Sequence, residues 1–174
     1  MSEHSKIRER FTETFIQPYS GFVEAHKDWI SEQRGEFNEE YYNKMFMWDK
    51  ISGDAREVTF SDALAILKGK AGEVYFMTED DKCAVFQVCR LNSKIQFVAS
   101  SSAMELAECI EDEWFTAYEL YEQDMIFPDA ILSEDLYVFD KSFSWCIVFT
   151  HETDENEAAD SRLCLYVSKK LVTE

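Results

Sequence analysis

Apolar residues recur every fourth position at the start of the chain, and that period is lost by residue 57. Ile7, Phe11 and Phe15 fall on one side of a helix that Pro18 interrupts. Ser20 is placed to cap a second helix with Phe22, Val23, Trp29 and Ile30 on its apolar side and Gly35 as its stop. Asn38 is placed to cap a third, in which Tyr41, Met45 and Trp48 share a face. From Glu57 the pattern turns to short runs of β-branched and aromatic residues. EVTF reads as a short strand, and Ser61–Asp62 opens a helix, DALAILKG, that ends at Gly69. VYFMTE, CAVFQVCRL and KIQFVASS follow with polar turns between them, which predicts an antiparallel meander. Ser102 and Glu105 have capping-box spacing and begin a helix over roughly 103–123, with Leu106, Ile110, Trp114, Ala117 and Tyr121 as its stripe. DLYVFDK, SWCIVFTHE and RLCLYVSK return to strands, and ETDENEAADS between the last two is a solvated loop.

Helices first, then strands and helices in mixed order, predict an α+β fold. Its N-terminal helices pack on a mainly antiparallel sheet of about six strands, and a long acidic helix lies near 103–123. The 174 residues fit one domain, helical over 1–50 and sheet-containing over 57–170. Five Gly and two Pro argue against a disordered chain, and an aromatic content of 15% is enough to build a core. Cys83, Cys89, Cys109, Cys146 and Cys164 are odd in number, lack a CxxC and sit in apolar runs, so they read as small core residues. Cys83 and Cys89 share a strand face, but about 20 Å of strand would separate them, too far for a disulfide. The start lacks an apolar signal segment and no run is long enough to span a membrane, which predicts a soluble, cytoplasmic protein.

Charge narrows the partners. The net charge is −18, from 35 acids and 17 Lys and Arg, so phosphate backbones and anionic membranes repel the chain and no nucleic-acid or membrane partner is expected. Residues 101–140 hold twelve acids and no base, which is −12 of that total. Glu105, Glu108 and Asp112 lie on neighbouring helical turns, where like charges cost ~0.2–0.5 kcal/mol per pair. No Lys within the helix relieves them. A solvated acidic face is the plain reading of such a run. The functional reading is a surface for a basic partner, built from Glu108, Glu111, Asp112, Glu113, Phe115, Tyr118, Glu119, Glu122 and Asp124, with Phe127 and Tyr137 as further aromatic anchors.

The segment 135–152 resembles the closing motif of an uncharacterised family of small bacterial proteins, D-x-Y-V-x-D-x-x-F-x-W-x-x-V-x-T-H-E. Asp135, Tyr137, Val138, Asp140, Phe143, Trp145, Val148, Thr150, His151 and Glu152 carry it, and MFMWDKISG resembles that family's middle section more loosely. Where family members continue into a glycine-rich, aromatic ending, this chain has TDENEAADS, so nothing is carried over from that ending. The resemblance implies a small α+β bacterial domain and brings no catalytic residues. Domains of this kind are similar, by analogy of type, to immunity proteins of toxin systems.

Catalytic signatures are absent. His4, His26 and His151 show no HxH or HxxxH spacing, so no metal is expected, and His151 reads as a strand-end histidine bonded locally. Cys146 and His151 are five apart on one strand and point to opposite faces, which rules out a dyad within it. Phosphate-cradling and nucleophile-elbow motifs are missing, and no cofactor is expected. The sequence therefore favours a non-enzymatic, acidic protein-binding module of immunity or antitoxin type, which neutralises a basic toxin by occlusion. The alternatives are a ligand-binding or enzymatic domain with a site near His151, Glu152 and Tyr137, and a self-associating scaffold.

Overall fold

The computed structural model describes residues 3–78, 86–88, 93–95, 98–122, 135–153 and 162–169, with backbone alone for 78–100, 113–122 and 153 within those ranges. The chain divides into two compact units, Met1–Ala55 and Arg56–Glu174.

The first unit is helical. Helix α1 (Glu3–Phe15) buries Phe11 and Phe15 completely, at four-residue spacing, their rings 5.0 Å apart. Helix α2 (Tyr19–Ala25) starts directly after Pro18, so Ser20 lies inside its first turn and does not cap it. The expected continuation to Gly35 is broken at His26, and a separate helix α3 runs Lys27–Glu32. The break lies in the His26 backbone, at φ −121° and ψ 29°, while its ring Nδ1 meets the Phe22 carbonyl at 2.9 Å and the ring stacks on Phe22 at 4.1 Å. Arg34 and Gly35 then both take left-handed backbone, with φ of 52° and 84°, and reverse the chain. Asn38 caps helix α4 (Glu39–Lys44) as expected, its Oδ1 accepting the Tyr41 N–H at 2.9 Å. That helix is short, so Trp48 sits in a separate 3₁₀ turn, Trp48–Lys50. Phe22, Phe37 and Tyr42 form the aromatic core of this unit.

The second unit carries a six-stranded, wholly antiparallel sheet. Its strands are β1 (Arg56–Val58), β2 (Glu73–Thr78), β5 (Val98–Ser102), β6 (Leu136–Asp140), β7 (Trp145–Thr153) and β8 (Arg162–Ser168), in the order β1-β8-β7-β6-β2-β5. Strands β3 (Phe86–Val88) and β4 (Ser93–Ile95) pair with each other in a second sheet. The expected meander is therefore corrected. The run KIQFVASS splits between β4 and β5, and β2 pairs with β5 and β6 instead of with its next neighbour in the chain. Polar turns mark where strands end, while partner choice depends on the apolar faces that must be buried together.

Helices α5 (Phe60–Lys68) and α6 (Ala103–Glu122) cover one sheet face. Helix α5 is capped by Thr59, whose Oγ1 accepts the Asp62 N–H at 3.0 Å, and not by Ser61. Starting two residues earlier brings Phe60 inside the helix, where it packs edge-on to Phe149 at 5.8 Å. Gly69 ends α5 as expected. Leu64, Leu67, Leu106 and Ile110 meet Val74, Phe76, Val138, Ile147, Phe149 and Cys164 in one core, each fully buried apolar side chain contributing ~1.5–3 kcal/mol. On the opposite face Met77, Tyr137, Phe139, Cys146 and Val148 are also at 0% exposure. Burial on both faces explains why LYVF and WCIVF read as continuous apolar runs without alternation.

Candidate functional site

Two regions carry the polar chemistry of the second unit: helix α6 and the β6–β7 hairpin. The helix begins with the expected capping pair. Ser102 Oγ accepts the Glu105 N–H at 3.1 Å and lies 3.2 Å from Glu105 Oε2. Leu106, Ala107, Cys109 and Ile110 are fully buried, while Met104, Glu105 and Asp112 are exposed and Glu108 and Glu111 are half-buried.

Glu111 is engaged within the fold. Its Oε2 lies 2.6 Å from Lys68 Nζ, so α5 supplies the cation that α6 lacks. Of the residues expected to meet a basic partner, Glu108, Glu111 and Asp112 are placed on this helix with their side chains. Glu113, Phe115, Tyr118, Glu119 and Glu122 occupy backbone positions in α6, with side chains outside the described residues. Asp124 and Phe127 lie outside the described residues altogether.

The hairpin is held at both ends by aspartates. At its turn, the Asp140 carbonyl accepts the Phe143 N–H at 3.0 Å. The Asp140 carboxylate accepts from the Ser144 N–H (2.6 Å), the Trp145 N–H (3.1 Å), the Ser144 hydroxyl (2.8 Å) and both the N–H and hydroxyl of Ser142. Partial burial works against its charged form, but the bonds from Ser142, Trp145 and Ser144 outweigh it and hold the carboxyl below its ordinary range. The turn also forces Phe143 to a φ of 60°, an outlier for a bulky side chain, which is packed against Phe139 at 5.3 Å. At the open end, Asp135 is 4% exposed. One of its oxygens, Oδ1, takes the His151 backbone N–H at 2.7 Å and lies 2.9 Å from His151 Nδ1. The expectation of a locally bonded strand-end histidine holds.

Next to this contact the β7–β8 ladder is irregular. Phe149 pairs with Cys164 and Thr153 with Arg162, so three residues of β7 face one of β8. Thr150 Oγ1 donates to the Leu163 carbonyl at 2.8 Å and accepts the Glu152 N–H at 3.3 Å, covering backbone groups that the bulge takes out of the ladder. Arg162 is 2% exposed, and burial pushes its guanidinium down to about 10 while Cys164 and Asp135 pull the other way. Asp135 thus bonds a histidine and also acts electrostatically on a buried cation. Neither Asp135 nor Arg162 stands out in the sequence as part of a charge cluster, since they are 27 positions apart; a charge beginning an apolar strand was the one signal available.

Little chemistry follows from this arrangement. Cys146 is fully buried, and burial, with Asp140 nearby, raises its thiol well above the ordinary value, which makes it a poor nucleophile. Tyr137 is fully buried while His151 and Glu152 are exposed, so these three do not line one surface. Among the described residues no three His, Cys, Asp or Glu gather as metal ligands, and no helix is long and apolar enough to cross a membrane. Cys109, Cys146 and Cys164 are buried, as expected of core residues, and Cys83 and Cys89 lie outside the described residues. Every residue of the D-x-Y-V motif described above therefore has a part in closing, turning or packing one hairpin. Comparison with known proteins finds no matching family model, no similar curated protein and no similar solved structure, so functional argument rests on these residues themselves.

Proposed function

We propose that the chain is an acidic protein-binding module of immunity or antitoxin type, which neutralises a basic partner by occluding it. The supporting observation is the separation of charge. Residues 101–140 hold twelve acids and no base, and among them Glu105, Glu111, Asp135 and Asp140 are engaged within the fold by Ser102, Lys68, His151 and the hairpin turn. Helix α6 presents Asp112 to solvent and continues through the positions of Glu113, Glu119 and Glu122. A surface of this sign accelerates encounter with a cationic protein and loses that advantage as salt screens it.

Because Glu111 supports the fold, the test leaves it in place. The variant Asp112→Lys/Glu119→Lys/Glu122→Lys is compared with the wild-type chain in pull-downs from source cells at low and high salt. The reading requires a basic protein that the wild type retains at low salt and releases at high salt, and that the folded variant fails to retain. Equal retention by the variant refutes the electrostatic surface. It would also move attention to the alternative, a ligand site at the His151 end of the sheet, which the half-exposed imidazole on buried Asp135 favours.

A further inference from the structure

A second polar cluster lies where β1, β7, β8 and the segment after α5 converge, and the reading above makes no use of it. Arg56 stands opposite Tyr166 across the β1–β8 ladder, its guanidinium carbon 5.2 Å from the centre of the Tyr166 ring. Lys70, just beyond Gly69, reaches the same ring. Its ammonium lies 5.3 Å from the ring centre, 3.2 Å from the Tyr166 hydroxyl and 4.9 Å from the centre of the Trp145 ring. Two cations therefore meet on one tyrosine.

Neither cation has a carboxylate partner among the described residues, in a chain with 35 acids and 17 Lys and Arg. The lysines Lys27, Lys44, Lys68 and Lys141, by contrast, each pair with a glutamate. Glu57 follows Arg56 in the strand, and alternation sends it toward the other face. Contact with the rings offsets the mutual repulsion of the two cations by only ~0.5–1 kcal/mol each at such exposure. The Tyr166 oxygen accepts from Lys70, which leaves the phenol hydrogen to be donated elsewhere. A guanidinium fork, an ammonium and a phenol O–H thus form a set of donors around a half-buried tyrosine and a buried tryptophan.

We propose that Arg56, Lys70 and Tyr166 bind a small tetrahedral oxyanion of phosphate type, free or as the terminal phosphoryl group of a small molecule. The three donors match an anion with several acceptor oxygens. The net charge of −18 restricts the ligand's size. Beyond a screening length of ~8 Å at physiological salt a polyanion would meet the acidic remainder of the surface, whereas a single phosphoryl group need not.

The test uses the full, ¹⁵N-labelled chain titrated with inorganic phosphate, with chloride at equal ionic strength as the reference. The expected result is saturable movement of the Trp145 indole and of the Arg56 and Tyr166 amides, which chloride does not reproduce. Arg56→Ala and Lys70→Gln should each weaken binding at least about tenfold, as the loss of a charge-assisted donor implies, and Lys44→Ala should leave it unchanged. Arg56→Lys keeps the charge and loses the fork, so several-fold weakening is expected from it even if Lys70→Gln fails to fold. Phenyl phosphate binding more tightly than phosphate identifies a phosphoryl group on a small molecule, and equal binding identifies the free ion. Movement without saturation, movement equal to that with chloride, or an unchanged response in the folded Arg56 variants overturns the proposal. None of these outcomes depends on a basic protein partner, so this site and the acidic surface stand or fall separately.

Discussion

Replacing Asp135 by asparagine tests whether the buried charges at the open end of the hairpin act as one unit. Asp135 and Arg162 are 4% and 2% exposed, and burial lowers the guanidinium to about 10. At pH 7 that group is charged in the folded and unfolded chain alike, so the lowered value is a net cost of ~3 kcal/mol even with Asp135 present. Asp135→Asn keeps an oxygen for the His151 N–H and removes the charge, and breaking a buried pair in this way costs ~3–5 kcal/mol. Arg162→Met alone relieves the guanidinium's burial and leaves the His151 bonds to Asp135 in place, so a smaller change is expected. In the double variant the Asp135→Asn cost should shrink by ~2 kcal/mol, the coupling of the pair. Urea unfolding followed by far-UV circular dichroism at pH 7, with midpoints compared at a common slope, measures all four corners of the cycle. A folded value below the unfolded one penalises a cation wherever both states are protonated. The penalty should therefore hold below pH 10 and fade as pH rises from about 10 toward the ordinary arginine value. A cost under ~1 kcal/mol for Asp135→Asn, or additivity within ~0.5 kcal/mol, would refute the reasoning.

The turn end of the hairpin gives a second expectation. Asp140→Ala removes the acceptor for the Ser142, Ser144 and Trp145 N–H groups and should destabilise by ~1–3 kcal/mol at pH 7. Because the folded carboxyl is held below its ordinary value, its stabilisation is present above the unfolded value of ~3.9 and is lost as pH falls through the folded one. Thermal melts of wild type and variant should therefore converge in acid; a constant difference down to the acid limit counts against it. At helix α6, Ser102→Ala should cost ~1 kcal/mol and Ser102→Gly only a few tenths. Faster hydrogen exchange at the Glu105 amide is the accompanying signature, and an unchanged rate would show that the cap is idle.

The parts of the fold that are local in sequence are legible there. Asn38 and Ser102 act as the caps that their spacing to Tyr41 and Glu105 implies, and the last three strands fall where their apolar runs lie. Errors begin where two eligible residues compete. Thr59 and Ser61 are both acceptable caps, and burial of Phe60 is a tertiary fact that selects Thr59. His26 carries no breaker signal, yet its backbone leaves the helical region and divides one expected helix into two. Pairing of β2 with β5 and β6 depends on faces brought together across 19 and 57 residues of intervening chain. The site divides in the same way. The acidic run is visible as composition, whereas the link from Lys68 to Glu111 spans 43 positions and the electrostatic pull of Asp135 on Arg162 spans 27.

Those long-range links change what the acidic run means. Before Lys68 is placed, the first turns of α6 carry uncompensated repulsion among Glu105, Glu108, Glu111 and Asp112. With it, the fold relieves the strain at the buried end of the helix, where α5 lies alongside. The other end has no such relief within the helix. Its last turn holds no base, and Glu119 and Glu122 occupy the terminus where the helix dipole is negative, a placement that costs ~0.3–1 kcal/mol per charge at low salt. A sequence selected only for stability would place Lys or Arg there. A cationic surface docked at this end would favour the helix twice, by cancelling the repulsion between carboxylates and by supplying the positive charge that the dipole lacks. The C-terminal half of α6, and not its capped start, is therefore the part of the acidic segment on which the partner reading most depends.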